Sequence, residues 1–263
     1  MNILTLKSAS IILALCLTSS FFAQSKSTDA LLKEGKTAAY RAYNSYDKDI
    51  LLKAKTIFET AMKEDSSSSL PLYYITYADY KLLEMNLRSS GDGLFDKYYE
   101  EAEKNAEQLS KTNSIESEGK VLLAAVYMMK IANNPMSAIG LSGKILELLD
   151  DAEKIDPANP RVYLIRGSMK FNTPKMFGGS YEDAAMNFRK AISLFEKQEQ
   201  ADSLKPSWGY LESMAWLGRA YEQLNNNDSA KFIYQKALSV EPEFGWIKYS
   251  LLPNLEKKMA EKN

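Results

Sequence analysis

Between Met214 and Pro242 the chain reads MAWLGRAYEQLNNNDSAKFIYQKALSVEP, with small and aromatic residues at fixed steps from Gly218. Tyr221 follows at +3, Ala230 at +12, Tyr234 at +16, Ala237 at +19 and Pro242 at +24. Steps of three and four residues place side chains on one helical face, so the stretch divides into two helices joined by a turn. Small residues at the contact let the helices approach closely. Proline then ends the second helix, because it lacks an amide hydrogen and crowds the preceding turn. A chain spaced in this way is committed to paired, antiparallel helices.

The pattern resembles the tetratricopeptide repeat (TPR) family, whose helical hairpins of about 34 residues stack side by side. The resemblance implies an all-α fold, a TPR-like helical-hairpin solenoid, with the first helix of each pair lining the concave face. On that template the chain yields about five pairs. One spans about Asp29 to Asp65, with Ala54, Phe58 and Ala61 in its second helix and Ser66 to Ser69 as connector. The next opens at Ser69-Leu70-Pro71, where Ser69 suits a helix cap and Pro71 a first turn. It continues through Tyr73, Tyr74, Tyr77 and Tyr80 to a Gly91-Asp92-Gly93 turn and a helix with Tyr98, Ala102 and Ala106. A third pair, from about Ile115 to Asp156, stops at Pro157; Asn159 and Pro160 then open the fourth. That fourth pair contains Tyr163 and Gly167, then Ala184, Phe188 and Ala191. The amphipathic stretch Trp246 to Lys258 predicts a closing helix over the last apolar face. Equivalent alanines (Ala61, Ala106, Ala152, Ala191, Ala237) lie 45, 46, 39 and 46 residues apart, longer than the family repeat. The surplus is assigned to the connections 89–95, 133–143 and 172–180, and the first two pairs lack the Leu-Gly step.

Residues 1–23 read as an export signal, leaving 24–263 as a single solenoid domain. Lys7 supplies a positive region, Ile11 to Leu17 an apolar core, and Ser19 to Ala23 a small-residue exit before Gln24. The apolar run is shorter than the ~20 residues of a spanning helix. An uncleaved anchor is therefore the lesser alternative, and stable membrane insertion of the mature chain is not expected. Cys16, the only cysteine, follows Leu15, whereas a lipid-attachment cysteine normally follows a small residue. Its loss with the signal leaves neither a disulfide nor a nucleophilic thiol. The periplasm or exterior of a Gram-negative bacterium is the expected location.

The chain has 33 Lys plus Arg against 34 Asp plus Glu, so no concentrated positive face for nucleic acid is visible. It contains no histidine, which removes histidine-based triads, the commonest zinc sites and the usual neutral-pH proton carrier. Acidic neighbours such as Glu100-Glu101 and Asp150-Asp151 point about 100° apart on a helix and do not converge on one atom. Catalytic residues, a metal and a cofactor are therefore not expected.

Recognition is then expected on the concave face. Alignment on Gly167 and Gly218 places Arg161, Leu164, Ser168, Phe171 and Asn172 there in the fourth pair, with Glu212, Ala215, Arg219, Glu222 and Gln223 in the fifth. Leu164 and Ala215 stand where chaperone-binding TPRs carry polar clamp residues, so a carboxylate clamp is not expected. Arg161 and Arg219 remain candidates for an acidic partner, or pair with local acids such as Glu212 and Glu222. Tyr74 and Tyr77 offer an aromatic surface, against the alternative that they fill space between helices. The turn around Phe177, Gly178 and Gly179 is similar to one in secreted bacterial TPR proteins, including periplasmic accessory subunits of TRAP-type transporters. The two readings carried forward are a non-catalytic scaffold for a protein or peptide partner and, as the alternative, a transporter-accessory subunit holding a small ligand in a central cavity. The intact mass of the exported protein should match a start near Gln24 without attached lipid; a full-length chain in the membrane fraction would overturn the export reading.

Overall fold

The computed structural model describes residues 26–87, 93–198 and 202–261. The export segment with Cys16, and Gly91 and Asp92 of the second intra-pair turn, lie outside them. Five antiparallel pairs follow one another: α1 (Thr28–Ser45) with α2 (Lys48–Glu64), α3 (Ser69–Asn86) with α4 (Leu94–Leu109), and α5 (Glu116–Asn133) with α6 (Ala138–Ile155). The last two are α7 (Pro160–Asn172) with α8 (Tyr181–Lys197), and α9 (Tyr210–Gln223) with α10 (Asn227–Val240). A π-helical stretch, Ile247–Leu251, leads into the closing helix α11 (Leu252–Ala260). The described residues thus form an all-α, TPR-like solenoid.

Helix starts follow local chemistry. Asn159 accepts from the Arg161 amide at 3.0 Å, with Pro160 in the first helical position. Ser180 caps α8 through the Asp183 amide at 3.0 Å. At α3 the cap is Ser68, whose hydroxyl accepts from Leu70, one residue before the serine expected from sequence.

The first helices are inside and the second helices outside. Every residue of α3 from Pro71 to Leu83 is buried, as is α5 from Val121 to Tyr127. By contrast α6, α8 and α10 bury single stripes: Ile145, Leu149 and Ala152; Ala184, Phe188 and Ala191; Ala230, Tyr234 and Ala237. One contact sets the register within a pair. A Cβ on Gly218 would run into the Tyr234 ring, and one on Gly167 would run into Phe188. Gly35 sits against Phe58 in the same way, so the first pair has the small-on-aromatic contact although its sequence lacks the Leu-Gly step.

The longer repeat period arises inside the helices in the first three pairs and in the link 198–209 between Ala191 and Ala237. α3, α5 and α6 have 18 residues and α8 has 17, against 14 in α9 and α10. Single 3-10 turns, Pro135–Ser137 and Lys175–Phe177, complete two of the connections. The solenoid also closes on itself. Tyr40 of α1 donates to Glu241 at 2.7 Å and Tyr43 stacks on Phe244 with centroids 5.5 Å apart, joining the first pair to the end of the last.

Glycine substitutions test this packing in opposite directions. Gly218→Ala should lower stability by about 1–3 kcal/mol, because Tyr234 must move. Gly143→Ala, with open space around its Cβ inside α6, should raise stability by about 0.5–1 kcal/mol. Urea midpoints at constant m-value check both.

A pH-dependent prediction concerns the buried pair between α2 and α3, where Lys55 Nζ lies 2.6 Å from Asp79 and 3.1 Å from Glu101 of α4. Burial pushes the Asp79 carboxyl up to about 7, with Lys55 opposing the rise. The folded state then holds a proton that the unfolded state releases near 3.8. The Asp79 contribution is therefore full below that value and is lost as pH rises through about 7. The stability of wild type relative to Asp79→Asn should fall between about pH 4 and pH 7; a flat difference would show that the carboxyl is not shifted.

Candidate functional site

In the connection from α8 to α9, residues 203–208 lie against the concave side with Ser203, Lys205 and Ser207 exposed and Pro206 buried, and they are held by their backbone carbonyls. Lys36 of α1 donates to the Ser203 and Lys205 carbonyls at 2.5 and 2.6 Å. Tyr74 donates to Leu204 at 2.7 Å, and Arg161 donates to Pro206 at 2.8 Å and Trp208 at 3.2 Å. The Trp208 ring stacks on Tyr77, 5.2 Å between centroids, while its Nε1 donates to the Tyr73 hydroxyl at 2.7 Å. Helices α1, α3 and α7 thus hold this link by its backbone, through a turn at residues 203–205 and the irregular stretch that follows. Burial drives the Lys36 ammonium down to about 8, with Asp202 opposing and Arg161 adding to the fall.

Arg161 is the centre of this grip. It is 1% exposed, and its Nε reaches both carboxylate oxygens of Glu118, at 3.0 and 2.9 Å. Glu118 also receives the Tyr73 hydroxyl at 2.9 Å. The expected groove-facing role for Arg161 is corrected here: its guanidinium is turned inward, and the acid it meets is Glu118 on α5, not Glu212 or Glu222. Tyr74 and Tyr77 are likewise buried and hold the inner segment, so neither forms an exposed aromatic surface.

A charged layer lies beyond Trp208. Lys81, fully surrounded, contacts Glu212 of α9 and lies 2.7 Å from Glu84. Its ammonium sits over the Tyr43, Tyr80 and Trp208 rings at 4.7, 4.8 and 5.3 Å, an arrangement that stabilises a cation out of water.

Past that layer, toward the C-terminal ends of α3 and α7, the concave face is open. A cleft of about 50 Å³ is lined by Tyr80 and Glu84 of α3, Met128 and Met129 of α5, Ser168 and Asn172 of α7, and Glu212 and Trp216 of α9. Glu84 is half-buried and Asn172 exposed, so the cleft opens between them. Two of the residues expected from sequence, Ser168 and Asn172, meet here, and the Asn172 amide donates back to the Ser168 carbonyl at 2.8 Å.

The other expected residues lie around this cleft or away from it. Phe171 is buried edge-on to Trp216 at 5.2 Å, and Arg219 covers the Trp216 ring at 4.4 Å. Glu222 accepts from the Tyr234 hydroxyl at 2.6 Å and Gln223 is exposed. The Phe177 turn stands out from the body: Met176 is 83% and Phe177 72% exposed, so Phe177 does not pack over the turn. Gly178 there takes φ 88°, and a Cβ on Gly179 would collide with the Thr173 carbonyl. Sequence reasoning missed Lys36, Lys81, Glu84, Glu118 and Trp208. The signal that could have found Trp208 is its place in the connection KPSWG, where a proline and a tryptophan stand in an otherwise polar link.

The tetratricopeptide-repeat family model matches residues 211–244. No curated protein matches the chain. Among solved structures, the chain is similar to the HusA haemophore from Porphyromonas gingivalis, at 20% identity and a TM-score of 0.61, over 76% of this chain and 96% of that one. It is also similar to a thermophilic TPR protein of Thermus thermophilus, at 20% identity and a TM-score of 0.57, over 89% and 98% of the two chains. The matched repeat and these likenesses support the same conclusion as the helix pairs, a tetratricopeptide-repeat type of helical solenoid.

Proposed function

We propose that the chain is an exported scaffold that receives a protein partner on its concave side, at the open cleft between α3, α5, α7 and α9. The observation that carries this reading is the division of the concave face. One half is occupied by the chain's own residues 203–208, and the other presents a cleft with apolar walls and a polar mouth at Glu84, Ser168 and Asn172. A solenoid's inner face is the usual place for such contacts.

Size separates this reading from its alternative. Pockets for free small molecules run to about 300–1,000 Å³, whereas this cleft holds about 50 Å³, enough for the end of one side chain. A central cavity for a transporter's ligand has less support, because the centre is filled by Trp208 and its neighbours. The haemophore likeness concerns the fold, and a porphyrin is far larger than the cleft.

The test uses Asn172→Trp, which covers the mouth from an exposed position and removes only the Asn172 bond to the Ser168 carbonyl, and Phe232→Ser on the exposed face of α10 as control. Partner capture by the mature protein should fall at least about tenfold in affinity for the first variant and stay unchanged for the second. Equal binding by both would place recognition away from the cleft.

A further inference from the structure

We propose that the protein adsorbs to an anionic lipid surface through the turns inside its third and fourth helix pairs, a contact separate from the cleft. The two turns are built alike. Helix α5 ends with the Asn134 amide donating to the Lys130 carbonyl at 2.8 Å, and α7 ends with Thr173 donating to Met169 at 3.0 Å. Both capping residues have extended backbone, and each is followed by a proline and a single 3-10 turn. Large apolar side chains then stand in solvent. Met136 is 70% exposed and Ile139, in the first turn of α6, 84%; Met176 and Phe177 are exposed to a similar degree.

The second turn is not a loose loop. The Phe177 and Gly179 amides donate to Pro174 at 2.9 and 3.2 Å, Gly178 donates to Lys175 at 3.0 Å, and Ser180 donates to Lys170 at 3.1 Å. Lys170 Nζ returns to the Gly178 carbonyl at 3.2 Å. A backbone tied in this way sets where its side chains point, and here the two largest point away from the body. The two turns also share an edge of the solenoid. Met128 and Met129, near the end of α5, line the same cleft as Ser168 and Asn172, near the end of α7. By contrast, the tight turns of the first and fifth pairs, at Tyr46-Asp47 and residues 224–226, expose no large apolar side chain.

The charge beside the two turns is positive. No aspartate or glutamate occurs between Glu118 and Glu147, or between Asp156 and Glu182, whereas Lys130, Lys144, Lys170 and Lys175 flank the turns. The nearest acids along the chain, Glu182 and Asp183, are engaged by Ser180 and Lys170. Lys144 and Lys175 are exposed, and neither they nor Lys130 has an acidic partner among the described residues. Ammonium groups beside projecting apolar side chains match an anionic bilayer: the lysines stay among the headgroups while the apolar ends pass below them. A stable protein contact would need about 800 Å² of matched surface from each side, whereas a bilayer accepts separate wedges without shape complementarity. No helix among the described residues is long and apolar enough to cross a membrane, so the contact is peripheral.

The test is flotation of the mature protein with vesicles of equal parts phosphatidylethanolamine and phosphatidylglycerol, and with vesicles of phosphatidylcholine. The protein should float with the first and bind the second at least about tenfold more weakly. Met176→Ser with Phe177→Ser, and separately Met136→Ser with Ile139→Ser, should each lower binding at least about tenfold. Neither should change the unfolding midpoint, because all four side chains are exposed. Ile155→Ser, at the opposite end of α6, should bind as wild type. Phe177→Trp should keep binding, and the added indole should be quenched by lipids brominated in the acyl chain. Failure of the wild type to float, or full binding by both double variants, would overturn the inference. Equal binding to the two kinds of vesicle would overturn the selection for anionic lipid. Loss of a protein partner in the turn variants, with no vesicle binding by the wild type, would overturn the lipid assignment and give the turns to a protein interface.

Discussion

A guanidinium buried in the middle of a helical ring persists only if its donors are matched, and Arg161 meets that condition with Glu118 and two backbone carbonyls. Removing one side of such a pair leaves an uncompensated charge, which typically costs about 3–5 kcal/mol. Most of the unusual features of this solenoid follow from that requirement. The carbonyls come from the link between the fourth and fifth pairs, so the link must lie against the concave side. There it needs further donors, and Lys36 and Tyr74 supply them.

The consequence is long-range coupling in a fold that is ordinarily a chain of neighbours. Lys36 and Lys205 are 169 residues apart, Tyr73 and Trp208 135, and Tyr40 and Glu241 201. An open array can lose an end repeat with limited effect on the rest. Here the first pair is tied to the last link and to the segment before α11, so loss at either end would release contacts at the other. The inner segment also divides the concave face. Its path seals the half near the N-terminal ends of α3 and α7, and the cleft is what remains at their C-terminal ends.

Pair-level structure was legible in the sequence because it depends on local spacing. Gly218 with Tyr234, and Gly167 with Phe188, are small-on-aromatic contacts written at fixed steps, and Asn159-Pro160 marks a helix start that the structure places at that residue. What could not be read was the closure of the ring. No periodicity links Lys36 to residue 205 or Tyr43 to Phe244, because those contacts depend on how five pairs accumulate curvature. The misplacement of Arg161 has that origin: it lies on the side the alignment implies, but that side is interior at its level, and Tyr74 and Tyr77 fill the space between helices there. Ser168 and Asn172, farther along the same helix α7, lie beyond the inner segment and reach the cleft.

This difference along one helix decides what the protein can present. At the level of Arg161, charge is matched by Glu118 and the chain's own backbone, and nothing is left for a partner. At the level of Glu84 and Glu212, two carboxylates share the ammonium of Lys81. The α5 and α7 helices run into turns that carry exposed Met136, Met176 and Phe177, with Ile139 exposed in the first turn of α6. The turn Thr173–Gly179 begins at the residue after Asn172. The concave side is therefore filled by matched charge at one end of α7, whereas apolar side chains stand exposed near its other end.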